Sequence, residues 1–217
     1  MALAAGRASL YPMEILEQLT WALGFAALAG INLYLVVLVT GLAIRFEWVD
    51  LLTQYESLAV LGNWWVIGTA GTLFLIEFFA DKIPWVDSTW DSVHTVVRPV
   101  GGILLALGAL GELDPAMSVV AALLAGGTSL ATHTAKAGGR LLINLSPEPV
   151  SNTVASVSED GLVIGGLVLA AVAPTVALFA FVALVILAVV IVTKSWGLLR
   201  SAWARLRGRE NDSQVAA

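Results

Sequence analysis

The sequence predicts an all-α polytopic membrane protein, and three observations carry that prediction. Of its 217 residues, 59% are hydrophobic and only 12% are charged, about half the charged share usual for a soluble domain. The apolar residues fall in runs long enough to cross a bilayer, starting with an uncharged stretch from Trp21 to Ile44. Much of the remaining charge is gathered into two polar hairpins, Asp81 to Pro99 and His133 to Asp160, and a basic tail. Cysteine is absent, which removes disulfides, thiolate chemistry and Cys-ligated metals. A net charge of -5 and the lack of any RNA or DNA module speak against nucleic acid as a partner.

Residues 1 to 20 read as an interfacial segment, with Met13, Leu16 and Leu19 set against Glu14 and Glu17. A first span follows over about 21–44; a basic lead and a shorter apolar core, the marks of a cleaved leader, are missing. Its one mid-span polar residue, Asn32, is read as a helix–helix hydrogen bond. Arg45 to Leu58 is amphipathic, with Trp48, Leu52 and Tyr55 on one face, and is placed along the membrane surface.

The second span, about 59–80, carries Gly68, Gly71 and Thr72 and ends with Glu77 one turn before Asp81. The apolar run Val100 to Gly111 reaches only about 18 Å and cannot cross alone. The third span, about 92–111, therefore either starts inside the membrane or carries His94 and Arg98 into it. The fourth, about 115–135, holds Gly126, Gly127 and Thr128, and is followed by His133, Lys136 and Arg140 at helical spacing. Pro147 and Pro149 break the chain around Glu148.

The uncharged run Gly161 to Thr193 is too long for one crossing. Pro174 divides it into a fifth span, about 153–173, and a sixth, about 175–193. The tail, 194–217, reads as a basic amphipathic anchor presenting Trp196, Leu199, Trp203 and Leu206. With six crossings, ten of the eleven Lys and Arg residues share one side and only Arg45 lies opposite. The positive-inside rule then makes both termini and both hairpins cytoplasmic. Two of the six spans are short or broken, and the two polar hairpins suggest an internal repeat. Thr69–Thr72 aligns with Ala125–Thr128, Glu77 with His133, and His94 with Asn152.

The hairpin residues Glu77 through Pro84 with Asp87, Trp90, Asp91, His94, Arg98 and Pro99, and Thr132 through Arg140 with Asn144, Ser146 to Pro149, Ser151, Asn152, Glu159 and Asp160, carry a resemblance. Over about residues 15 to 195 the chain resembles the bacterial integral membrane family catalogued as domain of unknown function 4126. The resemblance implies a multi-span helical protein of the bacterial cytoplasmic membrane and brings no activity, cofactor or catalytic residue with it.

Ionisable side chains within membrane spans are costly and face a cavity or each other. Glu77, Asp81, Asp87, Asp91, His94, Arg98, His133, Lys136, Arg140, Asn152, Glu159 and Asp160 are therefore the candidates for a substrate or ion site. The functional reading is a small transporter or channel-like carrier. In it Glu77, Asp81 and His133 couple protons or cations, while Arg98, Lys136 and Arg140 meet an anionic group. A second reading is a membrane enzyme acting on lipid head groups through Asp87, Asp91 and His94. Those three are also weak metal candidates, with Arg98 on the same stripe opposing a cation. A third reading is a scaffold in which the charges neutralise each other while it binds lipid or a protein. No His-Glu-x-x-His zinc motif occurs, and Ser129 beside His133 is read as packing surface. Expected partners are the bilayer, a small solute, ion or lipid, and a second copy through Gly68, Gly71, Gly126 and Gly127.

Overall fold

The computed structural model describes residues 2–48, 56–144 and 149–215, with side chains over 15–48, 56–83, 85–140, 143 and 150–197. The Leu52/Tyr55 face, the proline break around Glu148 and the faces of the N-terminal lead and basic tail lie outside these. Among the described residues the chain is all helical. The order is α1 (Ala2–Arg45), a 3-10 helix (Glu56–Gly62), α2 (Trp64–Ala80), α3 (Pro84–Leu110), α4 (Pro115–Asn144), α5 (Pro149–Val172) and α6 (Pro174–Val215). Five helices are long and apolar enough to cross a membrane, or six if the 3-10 helix and α2, bent by 65°, form one span.

Local chemistry sets the ends. Asn63 caps α2 by accepting from the Trp65 amide, and Asp114 accepts from Ala116 and Met117 to start α4. Gly111, at φ 69°, ends α3 with its amide on the Leu107 carbonyl, a left-handed stop that favours glycine. Pro84, Pro115, Pro149 and Pro174 each open a helix, where the missing N–H is no loss.

The pattern is inverted relative to a soluble bundle. On α3, Val93, Val96 and Leu104 are 60–67% exposed while His94 and Arg98 are at most 2% exposed. On α4, Leu123 and Leu124 face outward and Ser129, His133 and Arg140 inward. Such a surface needs lipid tails as its solvent.

α1 is the centre of the bundle and packs against every other helix. It is broken at Asn32, whose φ of −150° and ψ of 93° are not helical, and there the chain doubles back. On the first arm Thr20 donates to the Pro174 carbonyl at the α5–α6 junction, Gly24 lies against Phe181, Leu28 against Gly166, and Asn32 reaches Asp160. This arm thus runs from the α5–α6 junction to mid-α5. On the second arm Leu38 touches Gly71, Gly41 lies against Leu61 and Ile67, Ile44 meets Gly62, and the Arg45 guanidinium stands 5.2 Å from the Trp64 ring at the start of α2. The 3-10 helix places Leu58 on Gly108, near the end of α3. Arg45 has therefore returned to the end of the bundle that Thr20 set out from, about 20 Å from the break for a 13-residue arm.

The run over 21–44 is apolar and long enough to cross, but Asn32 folds it back on itself as a helical hairpin within the bundle. The third helix differs from the expected span. It begins at Pro84 rather than near Ser92, so most of the first polar hairpin is helix, and only Asp81 to Ile83 form the turn.

Candidate functional site

The break in α1 exposes backbone groups that an intact helix would satisfy internally, and side chains of α3, α4 and Asn32 itself take them. The first arm ends with free carbonyls at Gly30 and Ile31. Arg98 Nη1 donates to the Gly30 carbonyl at 3.2 Å and Lys136 Nζ to the Ile31 carbonyl at 3.0 Å. Two cations thus sit at the negative end of a half-helix dipole. The second arm starts with a side-chain cap, the Leu35 amide donating to Asn32 Oδ1 at 3.0 Å. The other side of the Asn32 amide donates to Asp160 Oδ1 at 3.0 Å.

From the tip the network spreads through α2 to α5. Arg98 Nη2 pairs with Glu77 Oε1 at 2.6 Å, both side chains fully buried, and Arg98 Nη1 lies 3.5 Å from Asp91. Arg98 Nη1 also donates to His133 Nδ1 at 2.8 Å. An acceptor Nδ1 leaves the ring hydrogen on Nε2, which faces the Asp91 carbonyl at 3.1 Å and Thr95 Oγ1 at 3.1 Å. Arg140 grips Glu159 with two parallel bonds of 3.1 and 2.6 Å, and reaches Asp81 Oδ2 at 3.2 Å and the Asn152 carbonyl at 3.1 Å. Ser156 adds a bond to the same Asp81 oxygen at 3.4 Å.

Lys136 stands between these two centres, within 3.4 to 3.6 Å of Glu159, Glu77 and Asp81. Each residue projects inward because helical spacing puts it there: Asp87, Asp91, His94 and Arg98 form one stripe on α3, and His133, Lys136 and Arg140 another on α4.

The structure brings Glu77, Asp81, Asp91, Arg98, His133, Lys136, Arg140, Asn152 and Glu159 into one network, with Asp160 joined through Asn32. His94 sits to one side. Its Nδ1 donates to the Trp90 carbonyl at 2.7 Å, Tyr34 donates to its Nε2 at 2.9 Å, and the Trp90 ring stacks on it at 4.6 Å. Asp87 is buried on the α3 stripe and contributes to the field at Arg140. Asp87, Asp91 and His94 do not converge on a common point; among the described residues no three acidic or histidine side chains stand in a metal-ligating arrangement. Lys82, on the turn, leans away from the network, donating to the Phe78 carbonyl at 2.7 Å and lying over its ring. Burial lowers its ammonium pKa from the ordinary value, against the raising effect of Asp81 and Asp160.

Sequence reasoning passed over the Gly30 and Ile31 carbonyls, Tyr34, Ser156, and the role of Asn32 as breaker and cap. The available signal was Gly30-Ile31-Asn32: a helix-weakening glycine two residues before a residue that caps well, in mid-span.

Six carboxylates (Glu77, Asp81, Asp87 and Asp91, buried, with Glu159 and Asp160 partly exposed) meet four cations (Arg98, Lys136 and Arg140, buried, with Lys82 partly exposed) in this region, an excess of two formal negative charges. Glu77 Oε2 and Asp81 Oδ1 are buried without a hydrogen-bond partner among the described residues. A region of this kind holds acceptors ready for protons or cations.

A family model described as Domain of unknown function (DUF4126) matches residues 19–194. No curated protein and no solved structure matches the chain.

Proposed function

The chain belongs to the DUF4126 family, whose description names no activity, and we propose that it is a small carrier of the bacterial cytoplasmic membrane that exchanges protons for cations at the buried network. The observation that carries this reading is the charge imbalance: six carboxylates against four cations, Lys82 included, at the tip of a helix broken inside the bundle. Burying unbalanced carboxylates is expensive, and proton or cation uptake is the direct way to offset that cost. A half-helix that ends within the membrane is also the form in which carriers present backbone groups to ions.

The three buried cations are each engaged by carboxylates, so the anionic-substrate role considered for Arg98, Lys136 and Arg140 has less support than a cation site. Those same pairings favour a second reading, a scaffold whose network only locks α1. The lipid-enzyme reading finds little support, since His94 is held by Tyr34 and Trp90 and Asp91 by Arg98. The internal repeat is part of the proposal, supported by Glu77 and His133, the aligned pair, both bonding Arg98. So is self-association through Gly68 and Gly127, where an added Cβ would meet open space; Gly71 and Gly126 pack internally on Leu38 and Ile103.

The orientation is also part of the proposal, with α1 read as a re-entrant hairpin and α2 to α6 as the crossings. With five crossings the end carrying Lys82, Arg140 and Lys194 takes the basic tail as well, while Arg7 and Arg45 lie opposite with Glu47, Glu56, Glu112 and Asp114. Positive-inside then places the C-terminus in the cytoplasm and the N-terminus outside.

The test is proton movement in proteoliposomes carrying an internal pH dye, with Na+ or K+ added outside to dissipate an imposed pH gradient. Wild type is expected to respond and Glu77→Gln to lose most of the response while keeping its fold. A wild-type signal equal to that of empty vesicles contradicts the carrier and favours the scaffold.

A further inference from the structure

Of the three buried cations, Lys136 is held differently. Arg98 and Arg140 each make a 2.6 Å contact with one carboxylate, the length of a strong charge-assisted bond. Lys136 Nζ has no such partner. It is surrounded by four oxygens from four elements: the Ile31 carbonyl of α1 at 3.0 Å, Glu159 of α5 at 3.4 Å, Glu77 of α2 at 3.5 Å, and Asp81 of the α2–α3 turn at 3.6 Å. This is an oxygen cage around a point charge, whose three carboxylate walls stand slightly too far for tight bonds to the ammonium within it. Two of the caging carboxylates also carry the buried oxygens without hydrogen-bond partners, Glu77 Oε2 and Asp81 Oδ1. The cage has one softer wall, since the Glu159 side chain is 21% exposed where Glu77 and Asp81 are at most 3%.

We infer that the Lys136 ammonium is a resident stand-in, and that the cage is an exchange site for a monovalent cation, either an alkali metal ion or the primary ammonium of a small solute. Oxygen donors alone suit these cations and not transition metals. Lysine suits the resident role because its charge is compact and rides on a flexible four-carbon stem, whereas an arginine fork would stay clamped. In the exchange, Lys136 gives one proton to water and withdraws as the neutral amine on the Glu159 side while one cation enters. Charge in the cage is unchanged, and one proton is traded for one cation. The other charged and titratable groups facing this step are Arg98, His133 and Asp91 on one flank and Arg140 and Asp160 on the other. The inference deepens the carrier reading and rests on it for its role in transport, though not for binding.

The experiment is thermal unfolding of the purified protein in detergent at constant ionic strength, with choline chloride replaced stepwise by NaCl, KCl or methylammonium chloride. Lys136→Gln empties the cage of its resident charge. It is expected to gain several degrees with one of these cations, saturably, at a concentration at least tenfold below that needed by wild type. Adding Glu159→Gln should abolish the gain. A response to methylammonium alone identifies an amine, and a response to Na+ or K+ a metal ion. Equal effects of choline and the other salts overturn the inference. If Lys136→Gln does not fold, wild type at alkaline pH decides: a cation-specific shift lost in Glu159→Gln supports the cage, and no shift refutes it. Proton flux without cation-specific stabilisation removes the cage and leaves the carrier; stabilisation without flux does the reverse.

Discussion

Asn32 divides the bundle into two halves built on different physics. Above the break, toward the α5–α6 junction, α1 is wrapped in apolar contacts: Trp21, Phe25 and Leu28 pack with Leu105, Ala109, Val163, Leu167 and Phe181. Small residues let the helices approach so closely that an added Cβ would strike Phe181 at Gly24 and Ser129 at Gly102. At the break, the tip of α1 meets charged side chains, Arg98 and Lys136 on its last carbonyls and Asp160 on Asn32. Close packing has one good arrangement and resists change. An ion network with surplus carboxylates has several, differing by a proton or a cation. The apolar half is therefore the frame, and the polar half is where the proposed exchange would act.

Substitutions can break that division. The largest loss is expected for Arg98→Ala, which strands buried Glu77, uncaps the Gly30 carbonyl and frees His133. Removing one partner of such a pair costs about 3–5 kcal/mol, so the variant should unfold at much lower denaturant in detergent and show no flux. Leu28→Ala, in the frame, is expected to cost about 2–5 kcal/mol as a cavity, yet to keep flux per folded molecule. Loss of flux at equal folded fraction in Leu28→Ala would erase the distinction between the halves. A smaller effect is expected for Asn32→Ala, about 1 kcal/mol for a lost cap. It also releases Asp160, so the proton response should shift in pH while the stability change stays modest.

Much of this was legible in the sequence. The lipid-facing exterior follows from the composition, and the inward stripes from the spacing of Asp87, Asp91, His94 and Arg98 and of His133, Lys136 and Arg140. What sequence could not supply was pairing: nothing in spacing says that Arg98 chooses Glu77 or that Arg140 grips Glu159, because those contacts join helices 19 to 21 residues apart through the packing around α1. The reversal at Asn32 was hidden by hydropathy, which scores the run Trp21 to Ile44 as one span whether it crosses or returns. The apparent shortness of the third span had a related cause. The polar residues before about Ser92 read as hairpin, although Asp87 and Asp91 belong to the buried face of a long helix that begins at Pro84.

Everything assigned to the polar half depends on α1 ending inside the membrane, and the chain's lack of cysteine makes that directly measurable. Single cysteines at Glu17, Glu56 and Lys82 can be labelled in sealed, oriented vesicles with a membrane-impermeant maleimide. The re-entrant hairpin requires Glu17→Cys and Glu56→Cys to react from the same side and Lys82→Cys only from the other. If Glu17→Cys and Lys82→Cys share a side opposite Glu56→Cys, α1 crosses the membrane, and the site built on its break cannot stand.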